Sequence, residues 1–207
     1  MYEFSFKFMP KHIHISSTTK LNYEQKMSTG YQIVEQDGIY FLTFQIVKWV
    51  DIFSRKVYRD IVIDSLKYSQ EHKGLAIYAY VIMSNHVHLL VKSEAAKLSD
   101  TVREFKSYTA KEILTAIRNE AESRREWMLN IFEFAAKQHK RNEKYQVWTQ
   151  ENHAEIIESN KFVKQKIKYI HQNPVRAGIV ANEEDYLYSS AGYFIGNKGL
   201  INITSTF

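Results

Sequence analysis

Apolar and polar positions near the start of the chain predict a strand followed by a helix. Aromatic and β-branched residues dominate the run from Ile39 to Phe44, which is typical of a strand. From Arg55 to His72 the apolar positions recur at helical spacing, and Gly74 is a natural stop for such a helix.

The clearest pattern is a β-hairpin in the middle of the chain. Residues 75–83 form an apolar run, Ser84 and Asn85 have the composition of a turn, and residues 86–91 form a second apolar run. Because a tight turn fixes the register of the strands that it joins, side chains near this turn should be well positioned.

The second half of the chain is predicted to be largely helical. A helix is expected over 98–117, and the strongly charged stretch 118–144 should be an exposed helix or insertion that leads to a short strand at 145–148. A last helix is expected over 160–173, where Pro174 should end it. Packing these helices on one face of a small antiparallel sheet gives an α+β domain.

Length and composition indicate one globular domain with no membrane span. The chain has 207 residues, 44% of them hydrophobic and 25% charged. Residues 1–37, with the polar stretch 16–20, are expected to be an accessory arm. The N-terminus has no apolar signal segment, and no apolar run is long enough to cross a bilayer, so we expect a soluble cytoplasmic protein.

Charge and cysteine content narrow the possible partners and metals. Twenty-eight Lys and Arg residues against 23 Asp and Glu give a net charge of +5, which weakly favours a nucleic-acid partner. The chain has no cysteine, which excludes disulfides, thiolate zinc sites and cysteine nucleophiles. A metal ion would therefore need histidine, carboxylate, amide or phosphate ligands, and such ligands suit Mg²⁺ or Mn²⁺.

A His-x-His pair lies on the returning strand of the hairpin. Since side chains alternate across a strand, His86 and His88 should project from the same face and could hold one metal ion. The pattern is short and common, and two ordinary half-exposed histidines are the alternative interpretation. Its position beside a tight turn favours a rigid site, whereas His12 and His14 form the same pattern without an obvious partner strand.

The last helix carries a second pair of polar side chains. Tyr169 and Asn173 are four residues apart, so they lie on one face about one turn from each other. Spacing alone also fits a tyrosine at the edge of the core that is hydrogen-bonded to backbone.

Two sequence motifs resemble a known family. Residues 81–91, VIMSNHVHLLV, resemble the histidine-pair strand of single-tyrosine HUH endonucleases, and residues 169–180, YIHQNPVRAGIV, resemble a signature of the REP-associated tyrosine transposase branch of the IS200-like transposases. Residues 105–110 and 184–191 are similar to weaker accessory motifs of that branch. The resemblance covers about residues 38–194, and Ser84 departs from it where the usual pattern has proline.

The resemblance implies a fold, a chemistry and a set of roles. The fold would be a ferredoxin-like sheet, with a transposase domain over 38–194 and a tail over 195–207. His86 and His88, with Asn173, would bind a divalent metal, Mg²⁺ or Mn²⁺, and Tyr169 would be the nucleophile. The activity would be the cutting and rejoining of single-stranded DNA flanked by hairpin or palindromic elements, through a 5′-phosphotyrosine. Such an enzyme would act in the bacterial cytoplasm at the nucleoid, and a homodimer is possible.

Tyr108 is a rival nucleophile. It is predicted to lie about three turns into the helix that follows the hairpin, between two lysines. An aromatic side chain packed against the sheet is the structural alternative, and the family pattern gives this position no chemical role.

Basic side chains form several candidate DNA-binding groups. Each group taken alone could be a solvated surface, but together they could follow the phosphates of a single strand or a hairpin. The predicted DNA-binding residues are Arg103, Lys106, Lys111, Arg124, Arg125, Lys137, Lys140, Arg141, Lys166 and Arg176.

Two other functions remain compatible with the sequence. A catalytically idle descendant of such a transposase could bind DNA hairpins through the same surface. A metal-dependent hydrolase of small molecules would also use a histidine pair, but it would give no role to Tyr169 or to the basic groups.

Overall fold

A four-stranded antiparallel sheet organises the chain. A computed structural model describes residues 32–138 and 144–205. Read from one edge, the strand order is β4-β1-β3-β2, and each neighbouring pair is antiparallel. The strands are β1 (Tyr40–Gln45), β2 (Leu75–Ile82), β3 (His86–Ser93) and the short β4 (Glu155–Ile156).

Three of the four described helices pack on one face of this sheet. They are α1 (Lys56–Lys73), α2 (Leu98–Asn119) and α3 (Arg125–Lys137), and they share one apolar core with the side chains of alternate strand residues. Gly74 ends α1 in the left-handed conformation (φ 62°), as the sequence predicts. Within the described residues, no helix is long and apolar enough to cross a membrane.

The fourth helix, α4 (Asn160–Arg176), lies on the opposite face. Its apolar residues Val163, Ile167 and Ile170 form a second, smaller cluster with residues of β1, β2 and β3. The order of elements and strands confirms an α+β, ferredoxin-like fold. The expectation that the helices share one face is corrected for α4, because both faces of β2 and β3 are apolar and need cover.

Two expected boundaries also differ from the structure. Helix α4 continues through Pro174 to Arg176, because a proline this near the C-terminus removes only one intrahelical hydrogen bond. The expected strand over 145–148 is reduced to a single bridge between Ile46 and Trp148. The Trp148 indole is instead buried in the main core, where its Nε1 donates to Thr109 Oγ1 at 2.9 Å.

The end of the chain joins the main core. Ile201 and Ile203 are buried there, and the Thr204 amide donates to the Ile77 carbonyl at 2.8 Å. Residues 195–205, expected as a tail, thus hold part of β2 in place. The expected arm over 1–37 and its His12–His14 pair lie outside the described residues, apart from 32–37.

A buried carboxylate ties the link between α2 and α3 to α1. Glu122 accepts hydrogen bonds from Arg55 Nη1 at 2.8 Å, Tyr58 Oη at 3.0 Å and the Arg124 amide at 3.0 Å, and its side chain is 1% exposed. Burial by itself would raise the pKa of the Glu122 carboxyl. The three donors outweigh burial and hold this pKa at about 2, below the usual 4.5.

Glu122→Gln is expected to lower the free energy of unfolding by about 2 kcal/mol at neutral pH, because it leaves Arg55 without its anion. Because the folded pKa is depressed, the contribution of the carboxylate is present above pH 4.5 and is lost as the pH falls towards 2. Urea unfolding at several pH values measures the effect. Glu126→Gln, at an exposed position on α3, is the control, and an equal loss in both variants would contradict the assignment.

Candidate nuclease site

The histidine pair lies where β3 leaves the hairpin turn. His86 and His88 point to the face that α4 covers, while Val87 and Leu89 between and after them enter the main core. The two imidazole centroids are 4.7 Å apart. The sequence thus correctly predicts that both rings share a face, and the paired strands on either side hold that arrangement.

Each imidazole is oriented through its Nδ1 atom. His86 Nδ1 lies 2.7 Å from Asn85 Oδ1, and His88 Nδ1 lies 2.8 Å from Thr43 Oγ1, the residue directly opposite on β1. The Nε2 atoms have no hydrogen-bond partner among the described residues. Holding one ring nitrogen through a neighbour fixes the other as the available lone pair.

Burial keeps both histidines neutral. It lowers the pKa of His86 to about 4. Burial also lowers the pKa of His88 to about 3, with further contributions from the charges of His86, Arg176, Lys166 and His153. Neutral imidazoles at physiological pH are the form that can donate a lone pair to a metal ion.

Tyr169 comes from α4 to the same place. Its ring centroid lies 5.4 Å from that of His88 and 5.7 Å from that of Phe41, and Phe41 in turn stacks on His88 at 5.2 Å. Tyr169 is 41% exposed, and its hydroxyl has no hydrogen-bond partner among the described residues. The tyrosine and the histidine pair of one chain therefore form a single cluster.

Arg176 and Asn173 fix the backbone and ring of Tyr169. Both side chains donate to the Tyr169 carbonyl, at 2.9 and 2.8 Å. The Arg176 guanidinium also lies 4.6 Å from the Tyr169 ring centroid. The Asn173 Oδ1 has no hydrogen-bond partner among the described residues, so the amide oxygen is the free end of this side chain.

The donor atoms at this site fit a divalent ion only in part. Two neutral Nε2 atoms are suitable ligands, and so is an amide oxygen, but among the described residues no hydrogen bond joins Asn173 to either histidine. Within 32–138 and 144–205, no group of three or more His, Asp or Glu side chains is arranged to hold a metal. The two imidazoles thus supply only part of the coordination that a divalent ion needs.

A comparison with known protein families matches most of the chain. A family model described as "Transposase IS200 like" matches residues 40–173, which is more than half of the chain and contains the whole cluster.

The chain belongs to the IS200-like transposase family.

Solved structures agree at the level of the fold. The chain is similar to the protein in a structure of a REP-associated tyrosine transposase bound to a REP hairpin, with 17% identity, a TM-score of 0.53, and coverage of 84% of this chain and 91% of that one. No curated protein matches the chain.

Tyr108 lies on the side of the sheet opposite the histidine pair. It is exposed on α2, in a groove of about 650 Å³ between α1 and α2, and α2 packs on the face opposite His86 and His88. The structure thus places Tyr169, and not Tyr108, beside the histidine pair.

Several predicted DNA-binding residues form hydrogen bonds or ion pairs with other residues of the chain. Lys106 is half-buried and donates to the Thr149 carbonyl and to Asn152 Oδ1, and burial lowers its pKa to about 8. Arg124 pairs with Asp51 and Glu122. Arg125 donates to the carbonyls of Ile117 and Glu120, at the end of α2.

The other predicted DNA-binding residues that the structure describes lie at separate places on the surface. Arg103 and Lys137 pair with acidic residues of their own helices, Lys111 is exposed on α2, and Lys140 and Arg141 lie outside the described residues. Lys166 and Arg176 lie beside the cluster, where Lys166 Nζ is 2.5 Å from Glu155 Oε2 and 4.4 Å from the Phe41 ring centroid.

Helix α4 carries more basic residues than the two, Lys166 and Arg176, that the sequence predicted to bind DNA. It carries four lysines and one arginine, and no acidic residue. Lys161, Lys164 and Lys168 are exposed, and Phe162 is 51% exposed among them. The absence of acidic residues over 17 positions is the sequence signal that distinguishes this helix as a basic surface. Phe41 and Thr43, which hold His88, carried no comparable signal.

Proposed function

We propose that this chain is an active transposase that cuts and rejoins single-stranded DNA, with Tyr169 as the nucleophile. The observation that carries the proposal is the 5.4 Å contact between the rings of Tyr169 and His88 within one chain. A small-molecule hydrolase would not need a tyrosine held at the histidine pair or a helix without acidic residues beside it.

The reaction follows from the positions of these side chains. Tyr169 Oη forms a bond to phosphorus, its proton passes to solvent, and the bond from phosphorus to the 3′-oxygen breaks. The products are a 5′-phosphotyrosine and a strand that ends in a 3′-hydroxyl. Because the phosphotyrosine preserves a phosphodiester, a 3′-hydroxyl can attack it in the reverse direction and rejoin DNA without a nucleotide cofactor.

His86, His88 and the Asn173 amide oxygen would hold a divalent ion, Mg²⁺ or Mn²⁺. When bound, this ion would polarise the scissile phosphate and offset its developing negative charge. Arg176 restrains Tyr169 by its contacts with the carbonyl and the ring, and it adds positive charge beside the phosphate.

The proposed substrate is single-stranded DNA with a hairpin beside the cut. The hairpin in the similar solved structure supports this substrate, as do the exposed lysines of α4. Bases of a single strand could stack on Phe162 while the lysines follow the phosphates.

The test is a covalent adduct with labelled single-stranded DNA taken from both sides of the gene. With Mn²⁺ or Mg²⁺ we expect a denaturation-resistant adduct that carries the DNA 3′ of the cut, and no adduct with EDTA. Failure of the wild-type protein to form an adduct with any of this DNA would contradict catalysis and favour an idle hairpin-binding protein. An adduct that persists in EDTA would contradict the metal.

Replacing both Lys164 and Lys168 with glutamine is expected to lower the affinity for single-stranded DNA. It should also make this affinity less dependent on salt concentration. The slope of log affinity against log salt should fall by about 0.7 for each lysine that contacts a phosphate. Fluorescence anisotropy at several salt concentrations measures this slope. The control is Lys67→Gln with Lys111→Gln, which removes the same charge from the helices on the opposite face. Equal losses in the two double variants would contradict a specific role of α4.

A further inference from the structure

A turn after β1 presents an exposed tryptophan beside the histidine pair. Trp49 is 62% exposed, and its ring centroid lies 6.5 Å from that of His86. The Asn85 side chain, which orients His86, also donates to the Trp49 carbonyl at 3.4 Å. The turn and the histidine pair are therefore one connected structure.

The backbone of this turn is strained. Lys48 (φ 53°) and Trp49 (φ 57°) are consecutive non-glycine residues in the left-handed region, which is costly for residues with a Cβ. Such conformations persist only where the surroundings enforce them, and they concentrate at functional sites.

Buried neighbours enforce the conformation on both sides. Val47 and Val50 are buried in the main core, and the Trp49 amide donates to the Ile46 carbonyl at 3.1 Å. Lys48 and Trp49 are thereby directed outward. Since the indole contributes little to the core, packing does not account for an exposed tryptophan at a strained position.

Four rings then form a row across the site. Trp49, His86, His88 and Tyr169 follow one another with centroid separations of 6.5, 4.7 and 5.4 Å. Trp49 is at one end and the nucleophile at the other. In an in-line displacement at phosphorus, the attacking and leaving oxygens are on opposite sides of the phosphorus atom. The nucleotide that keeps the leaving 3′-oxygen therefore extends away from Tyr169. Among the described residues, the Trp49 ring contacts His86 but neither His88 nor Tyr169, so it is the exposed aromatic ring of this series that is furthest along from the nucleophile.

We propose that Trp49 is a stacking platform for the base of the nucleotide immediately 5′ of the scissile phosphate. This inference rests on the proposed function for the position of the cut, and on the row of rings for the contact itself. Every base has a π-face, so the contact adds affinity without strong sequence preference. It would also retain the free 3′-hydroxyl end during rejoining.

The first test is binding of a labelled thymidine oligomer and of an oligomer with the same phosphates but abasic sugars. Trp49→Ala is expected to weaken binding of the thymidine oligomer by about 10-fold and to leave binding of the abasic oligomer unchanged. Trp49→Phe should retain most of the affinity, and Trp49→Leu should be as weak as alanine. Trp127→Ala, which removes an exposed tryptophan of α3, is the matched control.

Intrinsic fluorescence provides a second measurement that does not depend on substitution of Trp49. The chain has three tryptophans, and Trp148 is buried, so in a Trp127→Phe background the thymidine oligomer should quench Trp49. Stacking would be overturned if the thymidine oligomer does not quench Trp49. It would also be overturned if Trp49→Ala loses equal affinity for both oligomers, or if Trp49→Leu binds the thymidine oligomer with full affinity.

The side of the cut is tested after the adduct assay has mapped the scissile phosphate. Removing the base immediately 5′ of the cut should reproduce Trp49→Ala, and combining both changes should add no further loss. Sensitivity at the base 3′ of the cut instead would overturn the assignment. If the thymidine oligomer quenches Trp49 fluorescence but no DNA forms an adduct, the proposed cleavage is contradicted and the proposed stacking is supported. If Trp49→Ala forms the adduct at the wild-type rate and binds single-stranded DNA with wild-type affinity, the result would support cleavage and overturn stacking.

Discussion

Tyr169→Phe is expected to abolish the covalent protein–DNA adduct and strand cleavage completely. The substitution removes only the oxygen that would bond to phosphorus, and the Thr43 hydroxyl beside the histidine pair is already hydrogen-bonded to His88 Nδ1. The Tyr169 hydroxyl has no hydrogen-bond partner among the described residues, so the ring contacts with Phe41, His88 and Arg176 should survive. Gel analysis of labelled single-stranded DNA under denaturing conditions measures both products.

Binding and a second tyrosine provide the controls for this result. Tyr169→Phe should bind single-stranded DNA with nearly wild-type affinity, because the nucleophilic oxygen is not required for phosphate contacts. Tyr108→Phe, on the opposite face of the sheet, should form the adduct at the wild-type rate. If the adduct persists in Tyr169→Phe and disappears in Tyr108→Phe, the nucleophile has been assigned to the wrong helix.

His88→Ala is expected to lower the rate of adduct formation at least about 100-fold, since it removes one of two imidazole ligands and the electrostatic stabilisation that depends on them. His88 also holds the rings of Phe41 and Tyr169, so the loss should exceed that of an exposed ligand. Adduct formation as a function of Mn²⁺ concentration measures the effect, and the variant should require more Mn²⁺ than the wild type.

His72→Ala is the matched control for this substitution. His72 lies near the end of α1, away from the face of the sheet that carries the pair, and its removal should leave the Mn²⁺ dependence unchanged. Because His88 is buried, urea unfolding should show a lower midpoint for His88→Ala, and adduct formation is measured where this variant is still folded, to separate chemistry from folding. A His88→Ala enzyme that retains its rate and its Mn²⁺ dependence would remove the histidine pair from the proposed mechanism.

Much of the fold could be predicted because the local signals agree with one another. The run 75–91 combines two continuous apolar segments with a two-residue turn, and the structure confirms both the hairpin and the shared face of His86 and His88. Periodicity identified the apolar stripe of α4, Val163, Ile167 and Ile170. It did not indicate which face of the sheet the stripe would cover, because that depends on which strand face is still uncovered.

The site was less accessible to sequence reasoning because its parts are distant along the chain. Spacing on a helix shows that Tyr169 and Asn173 share a face, but not that this face meets His88, and only the family resemblance connected them. The sequence also could not show that the Lys106 ammonium donates to Thr149 and Asn152, because these residues lie far along the chain. The left-handed turn at Lys48 and Trp49 contains no glycine or asparagine, the residues that usually indicate such a turn. The sequence therefore did not predict the turn or the exposure of the Trp49 indole.

The presence of Tyr169 beside the histidine pair of its own chain has a consequence for stoichiometry. One such tyrosine can form one covalent bond to DNA, so each polypeptide in the proposed reaction can hold one broken end at a time. Excising a segment requires two breaks. In the proposed reaction, two polypeptides therefore act together, or one releases its first end before it makes the second cut.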